Sequence, residues 1–143
     1  MLVACDDGTL HYVALSFSDK GDQTSFFFLE TKAASQEHED IITALDISLD
    51  GTKVMTSSYD KTVVVLDVNT LRLEERLSDI HHEIISNVAA NRINPNVIAT
   101  SAHDGIVAAW DLRTKDNIIS GRNIRLLESK NRFVGFLPCI PEY

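Results

Sequence analysis

Cysteine is scarce. Cys5 and Cys139 are the only two in 143 residues, and they stand far apart. A framework of several disulfides is therefore excluded, and no Cys-x-x-Cys pair offers a metal or redox motif; reduced thiols in a cytosolic or nuclear setting are expected. Long hydrophobic runs are missing too. Stretches such as Phe26-Phe27-Phe28-Leu29 and Val63-Val64-Val65-Leu66 fall far short of a membrane span. The opening Met1-Leu2-Val3-Ala4-Cys5 meets Asp6-Asp7 at once, leaving no basic segment and no apolar segment of a secretory leader. Positive charge is in deficit, with a net charge of −8. That argues against nucleic acid and against an anionic membrane, both of which select a basic face, and it suits a basic partner better. Six glycines form no Gly-x-Gly-x-x-Gly and no phosphate-binding loop, and there is no Gly-x-Ser-x-Gly elbow.

What the chain does have is a repeat. Thr100-Ser-Ala-His-Asp104-Gly105 runs into Ile106-Val-Ala-Ala-Trp110-Asp111. Asp-Gly between two apolar runs is a hairpin signal, because glycine accepts the positive φ that a tight turn needs. The same pattern stands earlier, from Thr56 through Asp60 to Leu66-Asp67, and at the start, from Leu2 through Asp7-Gly8 to Val13. Asp60 to Asp104, Asp67 to Asp111, His38 to His82 and Ile41 to Ile85 are each 44 residues apart, and Asp7 to Asp60 is 53. The first unit thus carries a longer loop. A period of 40–45 residues with short strands and a terminal Trp-Asp is the pattern of propeller blades.

The expected strands are 2–5, 9–15 and 25–31 in the first unit, separated by a polar loop at 16–24 and followed by a polar connection at 32–40. Residues 41–48, 53–58, 62–67 and 71–77 give four more, with a turn at Leu49-Asp50-Gly51-Thr52. Residues 84–90, 97–101, 106–110 and 117–120 give the next four, with a turn at Asn94-Pro95-Asn96. Four strands per unit make a blade. The triple phenylalanine 26–28 is expected to be a strand buried on both faces. After Gly121 the pattern fails, although 132–137 could open another blade.

On these residues the chain resembles the WD-repeat β-propeller family over roughly 2–115. The resemblance implies an all-β fold, a partial propeller of two full four-stranded blades plus parts of two more. The expected division is 1–37 (partial blade with a long loop), 38–81 (blade), 82–121 (blade) and 122–143 (incomplete blade or irregular tail). Closed propellers have about four to eight blades, so the sequence is expected to be a truncated piece whose end blades expose apolar faces, around residues 2–4 on one side and 106–110 with 133–137 on the other.

In that family a His before the first strand, a Ser or Thr in the second, an Asp in the tight turn and the Trp of the third form a hydrogen-bonded set inside each blade. Carried over residue by residue, this implies His38, Ser58 and Asp60 in one blade, where Leu66 replaces the Trp. It implies His82, Asp104 and Trp110 in the next, where Ala102 stands at the Ser58 position. In the first unit only Asp7 matches, with Val13 and Ala14 where Trp-Asp would be. The expected role is structural, since buried imidazoles and carboxylates need partners.

Chemical alternatives are weaker on the residues. His103 beside Asp104, with Ser101 nearby, invites a hydrolase reading, but sequential residues in a strand or turn point apart and the turn explains Asp104 without catalysis. His81-His82 with His11, His38 and His103 could suggest a metal, yet adjacent histidines on an extended segment face opposite ways and no second pair has a zinc spacing. Glu37, Glu39, Asp40 and Asp46 form an acidic cluster that reads as a solvated loop or as a docking edge for a basic tail.

No catalytic, cofactor or metal residue is therefore assigned, and the expected activity is protein–protein scaffolding in the cytoplasm or nucleus. The run Glu37-His38-Glu39-Asp40-Ile41-Ile42 resembles the WD-repeat members that partner a type II protein arginine methyltransferase in the methylosome. That likeness implies a methyltransferase and basic substrate proteins as partners. A scaffold in another assembly, such as ribosome biogenesis or ubiquitin ligation, and a small hydrolase are the alternatives.

Overall fold

A computed structural model describes residues 1–18, 26–79, 81–113 and 118–120. Among them lie eleven strands: β1 (Leu2–Ala4), β2 (Thr9–Ser18), β3 (Phe26–Gln36), β4 (Ile42–Ile47), β5 (Lys53–Ser58), β6 (Val63–Asp67), β7 (Leu73–Leu77), β8 (Ile85–Ala90), β9 (Val97–Ala102), β10 (Val107–Asp111) and β11 (Ile118–Ser120). They form three antiparallel sheets in chain order: a first of β1-β2-β3, a second of β4-β5-β6-β7 and a third of β8-β9-β10-β11. The class is all-β.

The tight turns have a common cause. Asp7, Asp60 and Asp104 each accept, through Oδ1, the backbone N–H two residues on, from Thr9 at 2.9 Å, Thr62 at 2.9 Å and Ile106 at 2.8 Å. The residue between takes a left-handed conformation: Gly8 at φ 81°, Lys61 at 69° and Gly105 at 78°. The carboxylate thus supplies the turn's hydrogen bond and the next residue supplies the bend. Gly8 is further constrained, because a Cβ there would lie 2.5 Å from the His38 carbonyl oxygen. The first sheet's turn therefore rests directly on the loop that opens the second sheet.

The sheets share irregularities as well as strands. The last two strands of each sheet are paired with a bulge at the same point, after Tyr12, Val65 and Ala109. The extra residues are Lys32, Glu74 and Ile119. Each first–second strand pair of the two four-stranded sheets bulges after its first residue, at Thr43 and at Ser86. Bulges re-aim side chains, and here they deliver hydroxyls: Thr43 Oγ1 donates to Ile85 O of the third sheet at 2.7 Å, and Ser86 Oγ donates to Ser101 O at 3.0 Å.

Two apolar layers hold the sheets face to face. Leu10 with Leu2, Ala4, Tyr12 and Ala33 packs against Val54, Val64, Leu66 and Leu71 of the second sheet. Met55, Val63, Val65 and Leu77 on its other face meet Ile85, Val88, Ile98, Ala108 and Trp110 of the third. Asp46 adds a polar tie across that second junction. Its carboxylate accepts from Ala90 N at 2.8 Å and pairs with Arg92 at 3.0 Å.

Several expectations shift. The first hairpin is longer than its hydropathy suggests, because β2 continues to Ser18 and β3 covers 32–36, expected as connection. Mutual backbone pairing extends both strands beyond their apolar centres, with Ala33 packed on the second sheet. The side chains of Phe26, Phe27 and Phe28 lie outside the described residues. Their neighbour Leu29 and its cross-strand partner Leu15 are 64% and 65% exposed. Leu71, expected as strand, sits in a left-handed turn at φ 52° with its side chain buried, and β7 begins at Leu73. Leu2 and Ala4 pack on the second sheet and Ala108 and Trp110 on the junction of second and third, whereas Val3, Ile106, Val107 and Ala109 are half-buried and belong to neither layer. Residues 133–137 lie outside the described region.

Candidate functional site

The most organised polar chemistry is buried inside the second and third sheets. In the second, His38 stands on the loop before β4 with its ring buried. Its Nδ1 lies 2.9 Å from Asp60 Oδ2 and 3.2 Å from Thr62 Oγ1, and its Nε2 lies 2.8 Å from Thr56 Oγ1 on β5. Asp60 also accepts Glu39 N at 3.0 Å and the Thr62 hydroxyl at 2.7 Å. Burial alone would raise this carboxyl, but the donors from His38, Thr62 and Glu39 outweigh it and hold it far below the usual carboxylate range. Arg76 of β7 bonds the Glu37 carbonyl from outside and reaches the Glu37 carboxylate at 3.3 Å.

The third sheet repeats the arrangement one blade on. His81 Nδ1 lies 3.2 Å from Asp104 Oδ2, and its Nε2 lies 2.7 Å from Thr100 Oγ1. Trp110 Nε1 then donates to Thr100 Oγ1 at 3.0 Å. The chain Trp110–Thr100–His81–Asp104 is continuous and buried. Desolvation lowers the His81 pKa below the ordinary histidine value, against the opposing pull of Asp104.

This geometry corrects the sequence assignment at two kinds of position. The imidazole of the third sheet is His81; His82 is exposed and contributes only its backbone N–H, 3.0 Å from Asp104 Oδ2. The hydroxyl partners are Thr56 and Thr100, not Ser58 and its equivalent Ala102. Ser58 Oγ instead donates to Asp40 O at 3.0 Å and accepts Asp60 N at 3.1 Å, as a turn residue. Because Thr100 fills the place thought empty, the third-sheet set is complete. The second lacks only the indole, Leu66 standing where Trp110 stands in the third. Asp7 caps its turn through Thr9, and His11 acts on it through its charge and not as a hydrogen-bonded imidazole of the kind seen at Asp60 and Asp104.

A signal for His81 was present. The loop 91–96 has one residue more than its counterpart 48–52, so the offset is 43 up to Ala90 and 44 only from Val97 onward. A uniform 44 points at His82; an offset of 43 in the first strand points at His81.

Elsewhere the candidate constellations are engaged structurally. Asp104 serves His81, His82 N and Ile106 N, while Ser101 Oγ lies 3.2 Å from Ser86 Oγ, so no Ser–His–Asp relay is assembled around the exposed His103. In the acidic cluster Glu37 is paired with Arg76 and Asp46 with Arg92, leaving Glu39 and Asp40 as its exposed members. Among the described residues no group of three or more His, Cys, Asp or Glu side chains is placed to hold a metal. None of their helices is long and apolar enough to cross a membrane.

The family profile described as WD domain, G-beta repeat matches residues 30–67, the span of the His38–Thr56–Asp60 set. The chain is 32% identical over 80 residues to the WD repeat-containing protein 55 homolog of Drosophila ananassae, a match covering 56% of this chain and 16% of that protein. It is 36% identical over 95 residues to WD repeat-containing protein 55 of Pongo abelii and 35% identical over 95 residues to that of Homo sapiens. Each of these covers 65% of this chain and 24% of the relative. The chain thus spans about a quarter or less of the curated relatives it matches. The relatives carry that name, and not the name of the methylosome subunit expected from residues 37–42. The three antiparallel sheets have the form of a partial all-β WD-repeat propeller, and the repeat itself is matched over residues 30–67.

Proposed function

We propose that this chain is a non-catalytic interaction module whose sheets form a rigid support for loops that dock other proteins. One observation carries the reading. The buried polar groups of the second and third sheets are engaged within those sheets, as His–Thr–Asp sets that fasten turn to strand, so they stabilise the repeat and present no reacting atom. A rigid scaffold with loops at its ends is suited to binding. The net charge of −8 favours protein partners with basic surfaces over nucleic acid or anionic membrane. The scarcity of cysteine suits the cytoplasm or nucleus.

The narrower reading, an adaptor that presents basic substrates to an arginine methyltransferase, rests on the run at residues 37–42; a general scaffold rests on the whole fold. Affinity purification of the tagged chain from cells, followed by mass spectrometry, separates them. Recovery of a type II arginine methyltransferase supports the adaptor, and recovery of a different defined assembly supports the general scaffold. Hydrolase activity of the purified chain that disappears in His103→Ala would overturn both.

A further inference from the structure

The two buried imidazoles differ at two neighbours. Thr62, beside His38 Nδ1, is replaced by Ile106 in the third sheet, and Trp110 of the third sheet is replaced by Leu66 in the second. The second difference decides where the Nε2 proton can go. In the third sheet the indole N–H of Trp110 donates to Thr100 Oγ1. The Thr100 hydroxyl proton is then left for His81 Nε2, the acceptor within hydrogen-bond reach among the described residues, at 2.7 Å. His81 Nε2 must therefore be the bare nitrogen, with the ring proton on Nδ1 facing Asp104. In the second sheet Leu66 supplies no donor. Thr56 Oγ1 has a second outlet, the Val64 carbonyl oxygen at 3.5 Å, so its hydroxyl can turn away from His38 and accept a proton from Nε2.

We propose that acid unfastens the third sheet before the second, because a proton added at His81 Nε2 strands the buried Thr100 hydroxyl, whereas one added at His38 Nε2 still finds Thr56 as acceptor. The depressed His81 pKa agrees with this direction. The charged surroundings do not reverse it. His81 faces Asp104 and the neighbouring His82. His38 faces Asp60, with Glu37 and Arg76 outside it through Thr62 and the loop carbonyl. The fold thus contains a pH-graded pair of fasteners, its acid-sensitive member set by Trp110.

Hydrogen exchange of the intact chain tests this, read as protection factors so that the intrinsic pH dependence of exchange cancels. Between pH 7.5 and pH 5.5, amides of β9 and β10 should lose protection relative to those of β5 and β6, by up to about tenfold per pH unit for one linked proton. A constant ratio, or earlier loss from the second sheet, overturns the proposal. The variant Leu66→Trp should narrow the difference between the two sheets. If that variant does not fold, ring 15N spectra of the unaltered chain at pH 7.5 remain decisive. His81 must show the Nδ1–H tautomer, and a protonated Nε2 at His81 overturns the account.

Discussion

At the scale of single residues, what fastens these sheets is the pairing of each buried donor with one acceptor. Trp110→Phe keeps a ring in the same space but removes the donor to Thr100. It should destabilise the chain by about 1–2 kcal/mol, measurable as a lower urea midpoint with an unchanged slope. The pH dependence follows from His81. Its folded pKa lies below the unfolded value because burial disfavours the charged ring, so the unfolded chain binds the proton first. The stabilisation is fully present above about pH 6.5 and declines as pH falls below it. Asp60, held far below the usual carboxylate range, adds a second loss only beneath about pH 4. Urea unfolding between pH 8 and pH 3 should show both declines in that order.

At the scale of elements, the period, the Asp-centred turns and most strands of the second and third sheets are legible in the sequence. Apolar alternation and Asp-Gly report local backbone preference directly. Register is less legible. One added residue in loop 91–96 moves the imidazole assignment from His81 to His82, and a two-residue shift along the same strand face separates Thr56 from Ser58. Both errors arise because hydropathy marks where strands are, whereas hydrogen-bonded partners depend on pairing across strands. The length of the β2–β3 hairpin is hidden for the same reason, since Ala33, Ala34, Ser35 and Gln36 are held in strand by pairing with Thr9–Tyr12 and carry little hydropathy signal. Gly8 shows a constraint that sequence presents only as a turn. Gly8→Ala combines a left-handed φ of 81° with a Cβ placed 2.5 Å from His38 O. It should lower stability by about 1–3 kcal/mol, whereas Gly105→Ala, with open space around its Cβ position, should cost only the backbone strain. Parallel thermal melts of the two variants check the difference.

At the scale of the whole molecule, three sheets share two apolar layers, and the polar sets lie inside the second and third sheets. Of the large apolar side chains left in solvent among the described residues, Ile41, Leu49, Tyr59, Leu73 and Ile93 are scattered over the second and third sheets, and three stand together in or beside the first. Met1, Leu15 and Leu29 are 66%, 65% and 64% exposed. The strand register puts Leu15 opposite Leu29, and Met1 is tied to the Val13 backbone two residues before Leu15. Exposed apolar area of this kind promotes association, so the purified chain should sediment as more than a monomer, and Leu15→Ser with Leu29→Ser should shift it toward monomer. A monomeric parent chain would show that this surface is too small to associate.

The account rests most heavily on the identity of the buried fasteners, and adjacent histidines allow a direct comparison. His81→Ala removes the ring that joins Thr100 to Asp104, leaving the buried Thr100 hydroxyl without its acceptor and Asp104 without its imidazole partner. It should cost about 1–3 kcal/mol, a drop of several degrees in melting temperature for a domain of this size. His82→Ala keeps the backbone N–H that Asp104 accepts and removes only an exposed ring, so its effect should stay within about 0.5 kcal/mol. Thermal unfolding of the two variants beside the parent chain is the measurement. A large loss for His81→Ala with little change for His82→Ala is the predicted result, and equal effects, or the reverse order, would contradict the structure's central assignment.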